Sequence, residues 1–305
     1  MKTRSILKQV FLLVFLFEGQ TFVWAQHNPN IQNFSDNSKC LRADAFFEFP
    51  KSLQESSALI YSNGYFWTLN DGGNKPFLYA LYNPFSDSTL VNKKKEIIAK
   101  SIEIPVSNVD WEALATDSIY FYIGDFGNNL GNRKNLCIYR IKIGEVLANK
   151  IQTVDTLLFE YEDQTNYKPR RLHGFDCESM VILGNTIFLF SKNWNNLKTN
   201  LYCLDKLKKE QKAIKMETWD PDFFVTDACS TGGMIYLSGY NYFGNQFIYS
   251  SNWKKGKTFR LDIKPAQVEG ICMLKETKTG ELICYLTTEK RKSQPAGILK
   301  LVLNP

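Results

Sequence analysis

One pattern recurs five times along this chain, and it leaves few folds open. "ESSALIYSNGYFWTLND" begins at Glu55, "DWEALATDSIYFYIGD" at Asp110, "DCESMVILGNTIFLFSK" at Asp176, "VTDACSTGGMIYLSGY" at Val225 and "QVEGICMLKETKTGELICYLTTE" at Gln267. Each runs from a polar opening through an apolar strand and a tight turn into a second apolar strand with a polar end. A third strand follows in every unit ("KPFLYALYN", "NLCIYRIKI", "TNLYCLDKL", "NQFIYSSNW", "AGILKLVL"). A fourth follows in the first four units ("EIIAKSIEI", "TVDTLLFEY", "AIKMETW", "KTFRLDI"). Short apolar runs broken by Gly, Asn and Asp read as an all-β fold, and only "KIGEVLANKIQ" hints at a helix.

The fifth unit runs out of chain after its third strand, while "CLRADAFFEFP", Cys40 to Pro50, stands unassigned before the first. Radial repeats of four-stranded sheets close when one terminus completes the other terminus's sheet and removes an exposed edge. The expectation is a five-bladed β-propeller, its last blade closed by a strand near Ala43–Phe49. Six blades with one degenerate unit are the alternative. A pair of sandwiches would not explain one motif recurring in order.

The first 26 residues, "MKTRSILKQVFLLVFLFEGQTFVWAQ", combine Lys2, Arg4 and Lys8 with an apolar run too short to span a bilayer and a "VWA" end. We read 1–25 as a signal peptide, 26–39 as a linker and 40–305 as one propeller domain, exported to the periplasm or secreted. No later segment is apolar enough to cross a membrane. Hydrophobic residues at 44% and aromatics at 14% supply a core. The formal charge of +6 includes the leader's own cations, and no basic-aromatic stripe argues for nucleic acid. The seven cysteines are odd in number and form no CxxC, which excludes a zinc ribbon or a disulfide scaffold. Buried thiols are expected, with one disulfide left open. A monomer is expected.

First strands of propeller blades line the channel. Aligning the units on an Ala-Leu-like pair puts Ser57, Glu112, Glu178, Asp227 and Glu269 at one level, with Glu55, Asp110, Asp176 and Gln267 two positions earlier. Carboxylates so close repel. At a separation of ~5 Å and an effective dielectric of ~20 each pair costs about 3 kcal/mol. Oxygen donors without His or thiolate select a hard cation, and a flexible ring of them suits Ca²⁺. The competing reading is that these residues only satisfy strand-start amides, which accounts for Ser and Asp but not for three Glu in register.

"ESSALIYSNGYFWTLNDGG", "DWEALA" and "DCESM" resemble the calcium-activated nucleotidases (apyrases), secreted five-bladed propellers with Ser and Glu around a central Ca²⁺. The resemblance implies hydrolysis of nucleoside di- and triphosphates, a calcium shell of Ser57, Glu112, Glu178, Asp227 and Glu269, and an acidic Asp71 near substrate. Asp227 stands where that family has a smaller Ser. "GDFGNN…R" also resembles a group of secreted bacterial propellers.

Antiparallel return of each second strand brings its end to the same mouth. Asp71 and Asp125 are the candidate catalytic carboxylates. Asn70, Asn128, Arg133, Arg171, Lys192, Tyr240 and Glu289 form the candidate rim, although "NDGGN" and "GDFGNNLGN" are also ordinary turn chemistry. His173, in "RRLHGFDCES", reads as a hydrogen-bonded loop residue, since no GxSxG nucleophile accompanies it. Two functions stay open. One is a calcium-dependent phosphohydrolase of nucleotides or similar small phosphorylated molecules. The other is a non-enzymatic propeller with a structural calcium that binds an extracellular protein or glycan.

Overall fold

Strand pairing follows the chain order of the repeats. The computed structural model describes residues 14–17, 20–23, 41–43, 45–85, 97–263, 266–276, 279–291 and 294–303. Two units are distinguished. In the first, 1–35, β1 (Val14–Phe17) pairs antiparallel with β2 (Gln20–Val23). The rest of the expected leader and the linker 26–39 lie outside the described residues. Among the described residues no helix is long and apolar enough to cross a membrane.

Among the described residues the second unit, Asp36–Asn304, is all-β apart from one short helix. After β3 (Leu41–Arg42) and β4 (Ala45–Glu48) come four antiparallel meanders. They are β5 (Ile60–Ser62), β6 (Tyr65–Leu69), β7 (Phe77–Tyr82) and β8 (Ala99–Glu103); then β9 (Trp111–Thr116), β10 (Tyr120–Asp125), β11 (Leu136–Lys142) and β12 (Asp155–Tyr161). The third holds β13 (Asp176–Leu183), β14 (Thr186–Lys192), β15 (Thr199–Asp205) and β16 (Glu210–Trp219). The fourth holds β17 (Phe224–Thr231), β18 (Met234–Tyr240), β19 (Gln246–Ser251) and β20 (Gly256–Asp262). The last has three strands of its own, β21 (Gln267–Lys275), β22 (Leu282–Glu289) and β23 (Gly297–Leu303). Helix α1 (Ile143–Leu147) lies within "KIGEVLANKIQ".

The N-terminal strand splits its duty. β4 pairs antiparallel with β23, Lys300↔Ala45 to Gly297↔Glu48, and completes the last sheet. β3 instead pairs parallel with the outer strand β20 through Leu261↔Leu41 and Asp262↔Arg42. Another parallel pairing, β12 with β16, joins two meanders into one eight-stranded sheet. The first strands touch their neighbours in a closed cycle, β5 on β9, β9 on β13, β13 on β17, β17 on β21 and β21 on β5.

Period-two alternation places the core between sheets. In β10, Phe121 and Ile123 join the cluster shared with the first meander, whereas Tyr122 between them joins the cluster shared with the third. In β6, Phe66 faces the last sheet and Trp67 the second meander. Trp67 and Phe121 meet at 4.9 Å between ring centroids. Each large side chain so buried stabilises the fold by about 1.5–3 kcal/mol. The hairpin from β5 to β6 turns on Asn63 and Gly64, both at positive φ (51° and 84°), the pairing that matches the twist of flanking strands. The six described cysteines are free, as apolar filling requires. Cys40 lies outside the described residues.

Candidate functional site

Three of the acidic residues at the mouth owe their direction to a β-bulge. β9, β13 and β21 each carry one residue too many against their second strand. Pairing shifts between Gly124 and Asp125, between Cys177 and Ser179, and between Val268 and Gly270. The extra residues are Glu112, Glu178 and Glu269. A bulge leaves its residue out of the ladder and re-aims its side chain. In the first meander Ser56 bridges Asn70 while Ile60 pairs with Trp67, so one residue is also extra in the stretch that holds Ser57.

In β17 the shift lies between Val225 and Asp227, and the extra residue is Thr226. Asp227 therefore does not share the register of the three glutamates; it falls one step on, beside Ala113, Ser179 and Gly270. The expected alignment slipped because Ala228-Cys229 imitates the Ala-Leu pair of the other units. Asp227 is 1% exposed, and its Oδ2 accepts the backbone N–H groups of Leu59 at 3.1 Å and Ile271 at 2.8 Å. It is a strut between strands.

Asp125 is also committed. It accepts the N–H groups of Val109 and Asp110 at 3.2 and 3.1 Å and pairs with Arg133 at 2.8 Å. Arg133 is completed by the Gly127 carbonyl at 2.7 Å, so neither residue faces a ligand as the sequence proposed. Asn70 accepts from Glu55 N–H and donates to the Ser52 carbonyl. Asn128 donates to the Phe175 carbonyl and accepts from Arg133 N–H. Asn70 is thus held in the bridge to Ser56, and Asn128 opens the turn in which Gly131 N–H donates to its carbonyl. His173 is buried and satisfied, Nδ1 accepting from Phe175 N–H at 3.1 Å and Nε2 facing the Asn129 carbonyl at 3.2 Å.

What remains is a deep acidic pit. Asp71, Asp110 and Glu112 bring one carboxylate oxygen each to within 4.8 Å of one another. Glu178 faces Lys192 at 3.2 Å, both nearly buried, and the ammonium lies over the rings of Trp194 (4.9 Å) and Tyr240 (5.4 Å). Glu269 accepts from the Gln267 amide, and Glu289 pairs with Arg291 at 3.1 Å. Asp176 accepts Asn128 N–H at 2.6 Å and the Trp194 indole N–H at 2.7 Å, fixing the ring at the edge of the pit.

Burial dominates the electrostatics. It pushes Asp110 up to about 6, with Asp71 and Asp176 adding repulsion. It raises Glu112 well above the usual range, with Glu178, Asp71 and Asp110 in support. Burial takes Glu269 to about 8 against the pull of Lys192 and with the push of Glu289. Asp71 is raised by burial although Gly72 N–H, Glu112 and Lys192 oppose it. For Lys192 burial works against the charge, but Glu178, Tyr240, Glu269 and Asp176 outweigh it, and the amine is held protonated.

The pit fits a hard cation. Its donors are all oxygen. Two glycines admit the backbone where a side chain would intrude: a Cβ on Gly127 would fall 2.5 Å from Asp110 Oδ2 and 2.7 Å from Glu112 Oε1, and one on Gly72 would strike Asp110 Oδ1. Gln267, level with Asp110 in its own unit, keeps a buried Oε1 without a partner among the described residues. Thr226, Trp194, Arg291 and the two glycines were not singled out by the sequence. Trp194 was legible as the one aromatic among the asparagines of "KNWNN".

No protein-family model matches the chain, and no curated protein sequence matches it. Among solved structures, an exo-β-1,3-galactanase from Clostridium thermocellum superposes with a TM-score of 0.53 at 10% identity, over 85% of this chain and 62% of its own. A GH43B protein of a Bacteroides ovatus xyloglucan locus gives 0.48 at 10% identity, over 85% and 54%. A Trypanosoma rangeli sialidase mutant displaying trans-sialidase activity gives 0.44 at 8%, over 86% and 57%. The chain thus spans between 54% and 62% of the length of these neighbours. The galactanase likeness is one of fold: this chain is a β-propeller.

Proposed function

We propose that this is an exported five-bladed propeller whose mouth holds a divalent cation, Ca²⁺, and that it hydrolyses small phosphorylated molecules there. The closed cycle of first strands supports the count of five. The observation that carries the functional reading is the convergence of Asp71, Asp110 and Glu112 beneath two glycines. These three would hold the ion, with Glu178 and Glu269 further round the ring and Asp227 no longer among its ligands. When bound, Ca²⁺ supplies Lewis-acid polarisation of a phosphoryl oxygen and a more acidic water. The chain's own groups do the remaining work. Lys192 steadies an anionic group from the Glu178 side of the pit. Glu269, hydrogen-bonded by Gln267, keeps a proton available to a leaving oxygen.

Metal analysis after exchange into Ca²⁺ should find one ion per chain. Phosphate release from p-nitrophenyl phosphate, sugar phosphates and nucleotides should require that ion and stop in EDTA. Glu112→Gln should lose both properties. Calcium-loaded wild type that releases no phosphate from any of these would sink the hydrolase reading. A second reading is a structural cation beneath a rim that binds a protein or a glycan without turnover. It is favoured by burial: Glu112, Glu178 and Glu269 are only 7%, 4% and 7% exposed, which leaves a substrate little to touch.

A further inference from the structure

Beside the pit, Asn129, Leu130, Arg171 and Trp194 line a pocket of about 250 Å³. Its walls differ in kind from the pit. Trp194 is anchored at its edge by Asp176 and through its backbone N–H to the His173 carbonyl at 3.0 Å, so the indole is a fixed platform. The Asn129 backbone is held in turn by His173. Among the described residues, neither the Asn129 side-chain amide nor the Arg171 guanidinium has a partner. Aromatic surface continues outward from Trp194. Tyr242 donates to its carbonyl at 3.5 Å, and Phe243, next in the turn, is 87% exposed.

A rigid indole, a free amide and a free guanidinium around one small volume describe a particular guest. The indole takes the apolar face of a saturated ring. The amide both donates to and accepts from hydroxyl groups, and the guanidinium forks onto a carboxylate or phosphate. We propose that this pocket is a subsite for an anionic sugar, a pyranose ring lying on Trp194 with its hydroxyl groups on Asn129 and its acidic group on Arg171. The proposal deepens the hydrolase reading by naming the ring a substrate would carry, but the subsite itself needs no cation. Sugar acids and sugar phosphates share this chemistry, and the measurement separates them.

Saturation-transfer NMR and calorimetry on the full chain, in Ca²⁺ and again in EDTA, would compare glucuronate, glucose 6-phosphate, glucose, inorganic phosphate and adenosine. The expected result is binding of glucuronate or glucose 6-phosphate in both buffers, at least about tenfold tighter than glucose. Whichever of the two binds tighter names the source. Arg171 is exposed, so Arg171→Gln should fold and erase that preference. Leu130→Trp should fill the pocket and abolish binding. Glucose binding as tightly as the anions, or an unaffected Arg171→Gln variant, overturns the proposal. Inorganic phosphate equal to the sugar anions, or adenosine preferred over them, overturns it as well. Binding confined to glucose 6-phosphate and lost in EDTA places the ligand on the pit's cation, which overturns the subsite while leaving the hydrolase reading intact.

Discussion

Replacing Asp227 separates a strut from a metal ligand. Burial pushes its carboxyl well above the usual range, although the backbone N–H groups it accepts oppose the shift. Its Oδ2 receives two backbone N–H groups, from Leu59 and Ile271. Asp227→Ala removes this shared acceptor from a fully buried place and orphans both N–H groups. Each orphaned N–H costs about 1–3 kcal/mol, so the variant should lose about 2–6 kcal/mol. Against a total stability of about 5–15 kcal/mol that is severe, and a urea midpoint should fall by roughly 1–2 M. Asp227→Asn keeps a carbonyl oxygen in place of Oδ2 and an uncharged group in place of Oδ1. Its amide NH2 then lies where Oδ1 has no partner among the described residues, and the variant should cost about 1–3 kcal/mol, less than alanine. Urea titration followed by fluorescence measures both variants, and calcium calorimetry on Asp227→Asn completes the test. Calcium affinity should be unchanged. A loss of tenfold or more in a variant that still folds would refute the register argued for Thr226 and return Asp227 to the ion.

Three further outcomes follow from the same geometry. Asp110 and Glu269 titrate at about 6 and about 8 in the fold, above the ordinary 3.8 and 4.5, so the folded chain binds more protons than the unfolded one across that interval. In EDTA, stability should be fullest below about pH 4 as regards these groups and should fall as pH rises through 6 to 8, a decline that Ca²⁺ should flatten; urea midpoints at several pH values decide. Arg133→Ala strands the buried Asp125 charge and should cost about 3–5 kcal/mol in the same titration. Gly127→Ala forces a methyl group toward Asp110 and Glu112, and calorimetry should show calcium affinity falling at least tenfold in a chain that keeps its β spectrum by circular dichroism.

The strands were legible because each apolar run keeps a period of two and ends at Gly, Asn or Asp. Closure was legible from a last unit short of one strand and an unassigned strand at the other end. The split of that strand was not, because the β3–β20 pairing is an edge-to-edge contact between strands remote in sequence. The bulges were hidden for a different reason. An extra residue leaves the apolar pattern around it intact, so only pairing distinguishes Thr226 from Asp227. Likewise "GDFGNN" and "VDWEA" hold Asp125 and Asp110 in similar settings on paper. Which one is spent depends on Arg133 folding back onto Asp125, a contact within the same loop that composition does not signal. Lys192 was placed on the rim by its position at a strand end, yet it lies buried against Glu178.

That lysine also decides where a cation can sit. Around the mouth, Glu178 is compensated by Lys192 and Glu289 by Arg291, while Asp125, Asp176 and Asp227 are held by backbone or indole N–H groups. Glu269 has the Gln267 amide. Asp71, Asp110 and Glu112 are left without a cationic side chain against them, and they are the three that converge. A divalent ion on the axis, level with Glu178 and Glu269, would stand next to an ammonium. At a separation of ~5 Å and an effective dielectric of ~20 that repulsion is about 7 kcal/mol. An ion in the corner between β6, β9 and the Gly127 turn avoids it and neutralises three converging carboxylates that have no cationic side chain against them among the described residues. The ring of acids expected from the sequence thus resolves into an asymmetric pit, with the resident lysine on one side and the three converging carboxylates on the other.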